Sequence, residues 1–261
     1  MVKDSWQAGD RYEGFMGRWS RLAAGGFLEW LEAPSGLRWL DVGCGSGALS
    51  DTVIGRNDPS EVIAIDQSEG FVAAAQQRLG ARAQCRVGSA MSLPLDDATV
   101  DVSVSGLVLN FLPDPGKALD EMRRVTVRGG TVAVYVWDYA GEMEFLRYFW
   151  DAVVRLDPGA SALHESNRFP DANADALRSV FEALGFADVE TAAVDITTTF
   201  IDFSDYWDPF LGGQGPGPSY VANMGAEDRD RLERALRQAL PTGQDGSIDL
   251  KARAWAARGR V

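Results

Sequence analysis

From residue 36 onward, short apolar runs alternate with stretches of helical period. Residues 37–42, 62–66, 83–87, 100–105 and 131–137 read as strands, and residues 48–54, 70–79 and 115–127 as the helices between them. Such alternation builds an α/β fold, a doubly wound, largely parallel sheet with helices on both faces. Three of these strands are near-continuous apolar runs, as befits strands covered on both sides. By contrast, Val100, Val102 and Val104 alternate with Asp101, Ser103 and Ser105, the pattern of a strand whose polar side or end serves a site. Asp114 suits a helix cap and Pro115 the first helical position. Further on, Leu177, Val180, Phe181 and Leu184 form an i, i+3, i+4, i+7 stripe that stops before Gly185. Residues 187–196 and 247–256 then read as two more strands, the latter with Ile248, Leu250, Ala252 and Ala254 on one face.

Around the core, residues 36–138, and the C-terminal part of the fold, residues 173–261, three attachments interrupt the alternation. Residues 1–35 read as an N-terminal helical lid, with Tyr12, Phe15, Met16 and Trp19 at helical spacing. Residues 139–172 form a cap insertion carrying the aromatic group Phe145, Tyr148, Phe149 and Trp150. A helical insertion covers about 200–246; its helix over 226–240 carries the i, i+4 pairs Glu227/Arg231, Asp230/Arg234 and Glu233/Arg237, which support a solvated face.

Composition removes several classes of function. The 261 residues suffice for a substantial core, and a net charge of −13 without a dense basic patch would repel a phosphate backbone, so no nucleic-acid partner is expected. Cys44 and Cys85 are too few for a disulfide framework, which favours reduced thiols and a cytoplasmic setting. The N-terminus has no apolar signal-like run, and no stretch is long enough to span a bilayer. With one histidine and two cysteines far apart, metal-ligand spacing is missing and no metal is expected.

The sharpest chemical signal is Leu40-Asp41-Val42-Gly43-Cys44-Gly45-Ser46-Gly47-Ala48, a strand that runs through a glycine turn into a helix. Glycines there permit positive φ and let a ligand approach the main chain, while the helix offers free N–H groups. Gly43, Gly45 and Ala48 also satisfy G-x-G-x-x-A, which suits a dinucleotide. Asp41, two residues before the first glycine, would repel a pyrophosphate but complement a sulfonium and an ammonium, so the turn favours S-adenosylmethionine (SAM) over NAD. Asp66 closes the next strand at the separation expected for a carboxylate that accepts ribose hydroxyls. The segment Gly88-Ser89-Ala90-Met91-Ser92-Leu93-Pro94-Leu95 offers a slot with a few polar groups for an adenine.

Together with the run from Val104 to Asp114, these motifs resemble, in order and over residues 36–138, class I SAM-dependent methyltransferases of the UbiE-like, small-molecule type. The resemblance implies a Rossmann-like sheet of seven strands, the last antiparallel and inserted beside the sixth. It places Asp41 with Gly43, Cys44, Gly45, Ser46 and Gly47 at the methionine end of SAM, Asp66 at the ribose, and Gln67 on the adenosine side. Ser89, Ala90 and Met91 fall at the adenine, and Ser105 to Leu107 line the wall near the transferred methyl. Ser89 departs from the Asp or Asn common in relatives, and Asn110 from a frequent histidine.

Beyond the cofactor, Tyr12, Arg18 and Trp19 are candidates for closure over the pocket, with Asn110 and Trp137 toward the substrate. His164, the sole histidine, is the candidate general base, whereas Cys44 has no basic neighbour in sequence to make it a nucleophile. Methyl transfer is an in-line displacement that depends mainly on proximity and water exclusion. The aromatic residues Trp137, Tyr139, Trp150, Tyr206 and Trp207 hint at an apolar or planar small-molecule acceptor. A quinone-ring C-methyltransferase, an NAD-dependent oxidoreductase and a SAM-binding protein without turnover are the alternatives.

Overall fold

The computed structural model describes residues 16–212 and 215–261; Tyr12 and Phe15 lie outside them. Its regular elements are α1 (Arg18–Leu31), β1 (Arg38–Val42), α2 (Ala48–Asn57), β2 (Glu61–Asp66), α3 (Glu69–Leu79), β3 (Gln84–Val87), β4 (Val100–Gly106), α4 (Pro115–Val125), β5 (Thr126–Trp137), α5 (Glu144–Leu156), α6 (Glu165–Arg168), α7 (Ala174–Ala183), β6 (Ala187–Phe200), α8 (Phe203–Trp207), α9 (Pro216–Ala222), α10 (Ala226–Ala239) and β7 (Ile248–Arg260). The seven strands form one sheet in the order β3-β2-β1-β4-β5-β7-β6. Strands β1 to β5 pair in parallel, and β7 runs antiparallel to β5 from Thr131↔Arg260 to Trp137↔Ala254. This is the expected doubly wound sheet, with its last strand reversed and placed between β5 and β6. No described helix is long and apolar enough to cross a membrane.

Strand order positions the site. From β1 the chain steps outward to β2 and β3, then returns to the other side of β1 for β4 and β5. The crevice at the carboxyl ends of β1 and β4 is therefore the topological switch point, where open α/β sheets receive ligands.

Contacts divide the chain into two compact units. One comprises Ser20–Trp137, Asp171–Val194 and Ala254–Val261. In it, Ala23, Ala24, Phe27, Leu28 and Leu31 of α1 form a buried stripe, and the Phe27 ring lies 4.6 Å from that of Tyr135 on β5. Residues 20–31 thus pack on the sheet through this stripe.

The other unit contains Asp138–Pro170 and Asp195–Arg253, together with residues 16–19. Its core is aromatic. Phe149 and Phe210 stack at 4.3 Å and 7°, and Tyr206 donates its hydroxyl to the Phe145 carbonyl at 2.9 Å. Trp150, Tyr206 and Trp207 are buried among such neighbours and pack the core of this unit.

Three boundaries differ from the periodicity reading for local reasons. A register irregularity between Val100 and Val102 lets β5 start at Thr126, so α4 stops at Val125. Strand β6 continues through Thr197, Thr198 and Thr199 to Phe200, with the Thr198 hydroxyl donating to the Leu250 carbonyl at 3.0 Å. Strand β7 likewise runs on to Arg260. At the α4–β5 junction the Thr126 hydroxyl donates to the Met122 carbonyl and lies 2.7 Å from the Ser103 hydroxyl, all buried. Thr126→Val strands both partners and lowers stability by about 1–3 kcal/mol in urea unfolding.

Candidate functional site

The turn after β1 is built by main-chain geometry. Gly43, Gly45 and Gly47 have φ of 73°, 53° and 84°, all in the left-handed region. The N–H groups of Gly43 and Cys44 both donate to the Ile65 carbonyl, at 2.7 and 3.0 Å, which folds the turn back on β2. A Cβ on Gly43 would lie 2.7 Å from the Val108 methyls, whereas one on Gly45 would meet nothing within 4 Å. Packing therefore dictates Gly43, while Gly45 borders open space. Helix α2 begins after Gly47, which offers no side chain to cap its first turn.

Two carboxylates flank the turn. Asp66, at the end of β2, accepts from the Gly45 N–H at 3.0 Å through one oxygen and from the Ser68 N–H at 2.9 Å through the other. Each oxygen keeps a further lone pair for a ligand. Asp41 is 2% exposed; one oxygen accepts from the Ser50 hydroxyl at 2.7 Å, and the other is buried without a partner. Burial pushes its pKa up to about 7, opposed by the Ser50 hydrogen bond and reinforced by the negative charge of Asp66. Asp41 thus lies behind the turn, bolted to α2, with one oxygen held in reserve.

On the adjoining loop, the Ser89 hydroxyl accepts from the Met91 N–H at 3.2 Å and closes its own turn, with Ala90 and Met91 half-buried. Gln67 is exposed. Beyond β4, the Ser105 hydroxyl donates to the Val42 carbonyl at 2.8 Å. That bond ties the end of β4 to the end of β1. Leu107 has φ 63°, a strained value for a non-glycine residue, and its N–H donates to the Tyr135 carbonyl at 2.7 Å. In the short turn Leu109–Phe111, both polar atoms of the Asn110 side chain are buried without partners. The Trp137 indole N–H, at the end of β5, is likewise buried and unpartnered.

The structure thus gathers Asp41, the glycine turn, Asp66, Gln67, Ser89 to Met91, Ser105, Leu107, Asn110 and Trp137 in one unit, at the ends of or just after its parallel strands. Arg18, Trp19 and His164 fall in the other unit. Arg18 forms a bidentate pair with Asp205 at 2.9 and 3.0 Å and lies over the Trp19 and Phe200 rings, so its guanidinium is committed within that unit. His164 caps α6: its Nδ1 contacts the Ser166 N–H and hydroxyl, and its Nε2 lies 3.5 Å from Asp151. Both nitrogens are engaged within that unit. Burial raises the Cys44 thiol far above its ordinary range, in keeping with a residue that only fills the turn.

Sequence reasoning missed Ser50 and Val108. A serine on the buried face of α2, between Leu49 and Val53, was the available signal for Ser50; nothing local marked Val108. Gly45→Ala adds a methyl to the open space. The protein folds, and affinity for a ligand seated there falls about 10- to 100-fold by calorimetry.

The sheet order and the glycine turn define a methyltransferase domain: residues 40–134 match the family model described as "Methyltransferase domain". A demethylmenaquinone methyltransferase from Shouchella clausii is 30% identical over 182 residues, covering 62% of this chain and 75% of that protein. A malonyl-[acyl-carrier protein] O-methyltransferase from Serratia marcescens is 34% identical over 118 residues, covering 45% of each. Haemonchus contortus phosphoethanolamine N-methyltransferase 2, solved in complex with S-adenosyl-L-methionine, superposes with a TM-score of 0.57 at 18% identity over 96% of this chain and 56% of that one, a likeness of fold. The chain belongs to the SAM-dependent methyltransferases, and its cofactor is SAM.

Proposed function

We propose that this chain methylates a small molecule by in-line displacement at the switch point, with the protein supplying position and dryness. The observation that carries this reading is Asp41, whose buried, unpartnered oxygen is stable beside a cation and costly without one. The open space at Gly45 and the spare lone pairs of Asp66 fit the same cofactor. In this assignment Asp41 and Gly43 to Gly47 hold the methionine end, Asp66 the ribose, Gln67 the adenosine side, and Ser89, Ala90 and Met91 the adenine. Leu107 shapes the wall beside the methyl. When bound, SAM supplies an electrophilic methyl on a sulfonium. The chain's own work is to orient the acceptor on the carbon–sulfur axis and exclude water.

Calorimetry with SAM, S-adenosylhomocysteine and NAD tests the site: the two adenosyl ligands bind, and NAD binding without SAM binding overturns the proposal. For the acceptor, an apolar or planar molecule remains the leading class. A quinone ring is the second reading, supported by the relative named as a demethylmenaquinone methyltransferase. Transfer of labelled methyl to a reduced naphthoquinone probe, measured against simple phenols and amines, separates the two.

A further inference from the structure

Ser50 is an unusual residue for the inner face of a helix. It sits between Leu49 and Val53 on the buried side of α2, fully shielded from water. A hydroxyl on a helix commonly donates one turn back along its own backbone, as Thr52 does to the Ala48 carbonyl at 2.8 Å. The Ser50 hydroxyl instead crosses to β1 and donates to Asp41 at 2.7 Å.

The other elements packed around Asp41 do not help it hold a charge. In the sheet it is in register with Ala64 of β2 and Val104 of β4. The titratable groups that act on it or feel its charge are Asp66 at the end of β2, Cys44 in the turn and Cys85 on β3, all negative or neutral. The Arg78 guanidinium of α3 stands at the Ser46 hydroxyl, 3.4 Å away. Burial and the charge of Asp66 favour the protonated acid, and the hydroxyl and N–H of Ser50 oppose them. A buried pair that served stability alone would gain little over two apolar side chains. This pair also leaves the second Asp41 oxygen unmet, so its value lies in a charge kept ready for a cation.

Resting on the methyltransferase reading above, we propose that Ser50 is a positioning residue for the cofactor: its hydroxyl keeps the Asp41 carboxylate charged, so the site prefers cationic SAM to S-adenosylhomocysteine at neutral pH. Ser50 touches neither ligand and acts through Asp41. When the sulfur carries no charge, Asp41 takes a proton from water, and the preference for the charged ligand disappears with the carboxylate's own charge.

The test is calorimetry with SAM and S-adenosylhomocysteine on the full chain between pH 5.5 and 9.5. The two ligands share their adenosine and amino-acid groups and differ in the charge on sulfur, so the ratio of their affinities isolates the effect of Asp41. In the wild type the ratio rises with pH to a plateau, with its midpoint near the Asp41 value of about 7. Ser50→Ala removes a hydrogen bond to a charged group and moves the midpoint up by about one to two pH units. At pH 7.5 the ratio falls about five- to tenfold. Ser50→Cys, a weaker donor, falls between the two and carries the same readout should Ser50→Ala fail to fold. In an Asp41→Asn background, Ser50→Ala changes the ratio by less than about twofold. The proposal is overturned by an unmoved midpoint in the Ser50 variants, by equal loss of both ligands at every pH, which marks a merely structural serine, or by an effect that persists beside Asp41→Asn. A wild-type protein that binds SAM at no pH removes the cofactor reading itself.

Discussion

Asp66→Ala lowers SAM affinity by at least about 100-fold. The carboxylate presents two oxygens with a spare lone pair each, and a hydrogen bond to a charged group contributes about 1.5–3 kcal/mol, so losing two removes about 3–6 kcal/mol. The same substitution releases the Gly45 N–H, now held at 3.0 Å, and loosens the turn at its most open point. Asp66→Asn separates the effects: it keeps one acceptor oxygen and loses roughly half. Calorimetric titration with SAM and with S-adenosylhomocysteine reads both variants. Equal loss for the two ligands is expected, because they share the ribose; an unchanged Kd in Asp66→Ala places the ribose elsewhere.

Asp41→Asn produces the opposite signature, a loss that depends on ligand charge. Removing the buried carboxylate lowers affinity for cationic SAM by about 1.5–3 kcal/mol, or about 10- to 100-fold, and affects the uncharged sulfur of S-adenosylhomocysteine far less. The wild-type pH dependence follows from the pKa of about 7 that burial imposes on Asp41. Below that value binding of a sulfonium must expel a proton, so SAM affinity falls by up to about tenfold per pH unit, while above it the curve is flat. For the ligand-free protein the sign is reversed. The folded pKa lies above the ordinary carboxyl value of about 4, so the stability contributed by the protonated group is complete below pH 4 and is lost as pH rises through about 7. Ligand-free Asp41→Asn is therefore more stable than wild type at pH 8, measured by urea unfolding. A wild-type SAM Kd that does not change between pH 5.5 and 8.5 would contradict the proposed role of Asp41.

How much of this was legible in the amino-acid string depends on range. The glycine turn and Asp66 could be read because each sits at a strand end that announces itself by local period. Seven strands with the last reversed came from resemblance, and the structure has them in that order. Side-chain partners were not legible. That the Ser105 hydroxyl finds the Val42 carbonyl could be known only once β4 was placed beside β1. Asp41 was read for its charge alone; that α2 brings Ser50 within 2.7 Å of it was out of reach of local pattern. The tryptophans and tyrosines of residues 139–246 suggested an acceptor pocket because composition reports aromatic surface without saying what covers it; here they cover each other. Asn110 drew notice only as a departure from the histidine frequent in similar sequences, and its unmet amide is a property of its neighbours that only three dimensions reveal.

Tyr135 joins two parts of the sheet unit that would otherwise be independent. Its ring rests on Phe27, its carbonyl receives the Leu107 N–H, and its hydroxyl group occupies the room a side chain at Gly106 would require. Helix α1 is thus a backstop for the bent backbone that follows β4. Trimming Phe27 slackens that support from behind, while the turn after β1, tied to the Ile65 carbonyl of β2, keeps its shape.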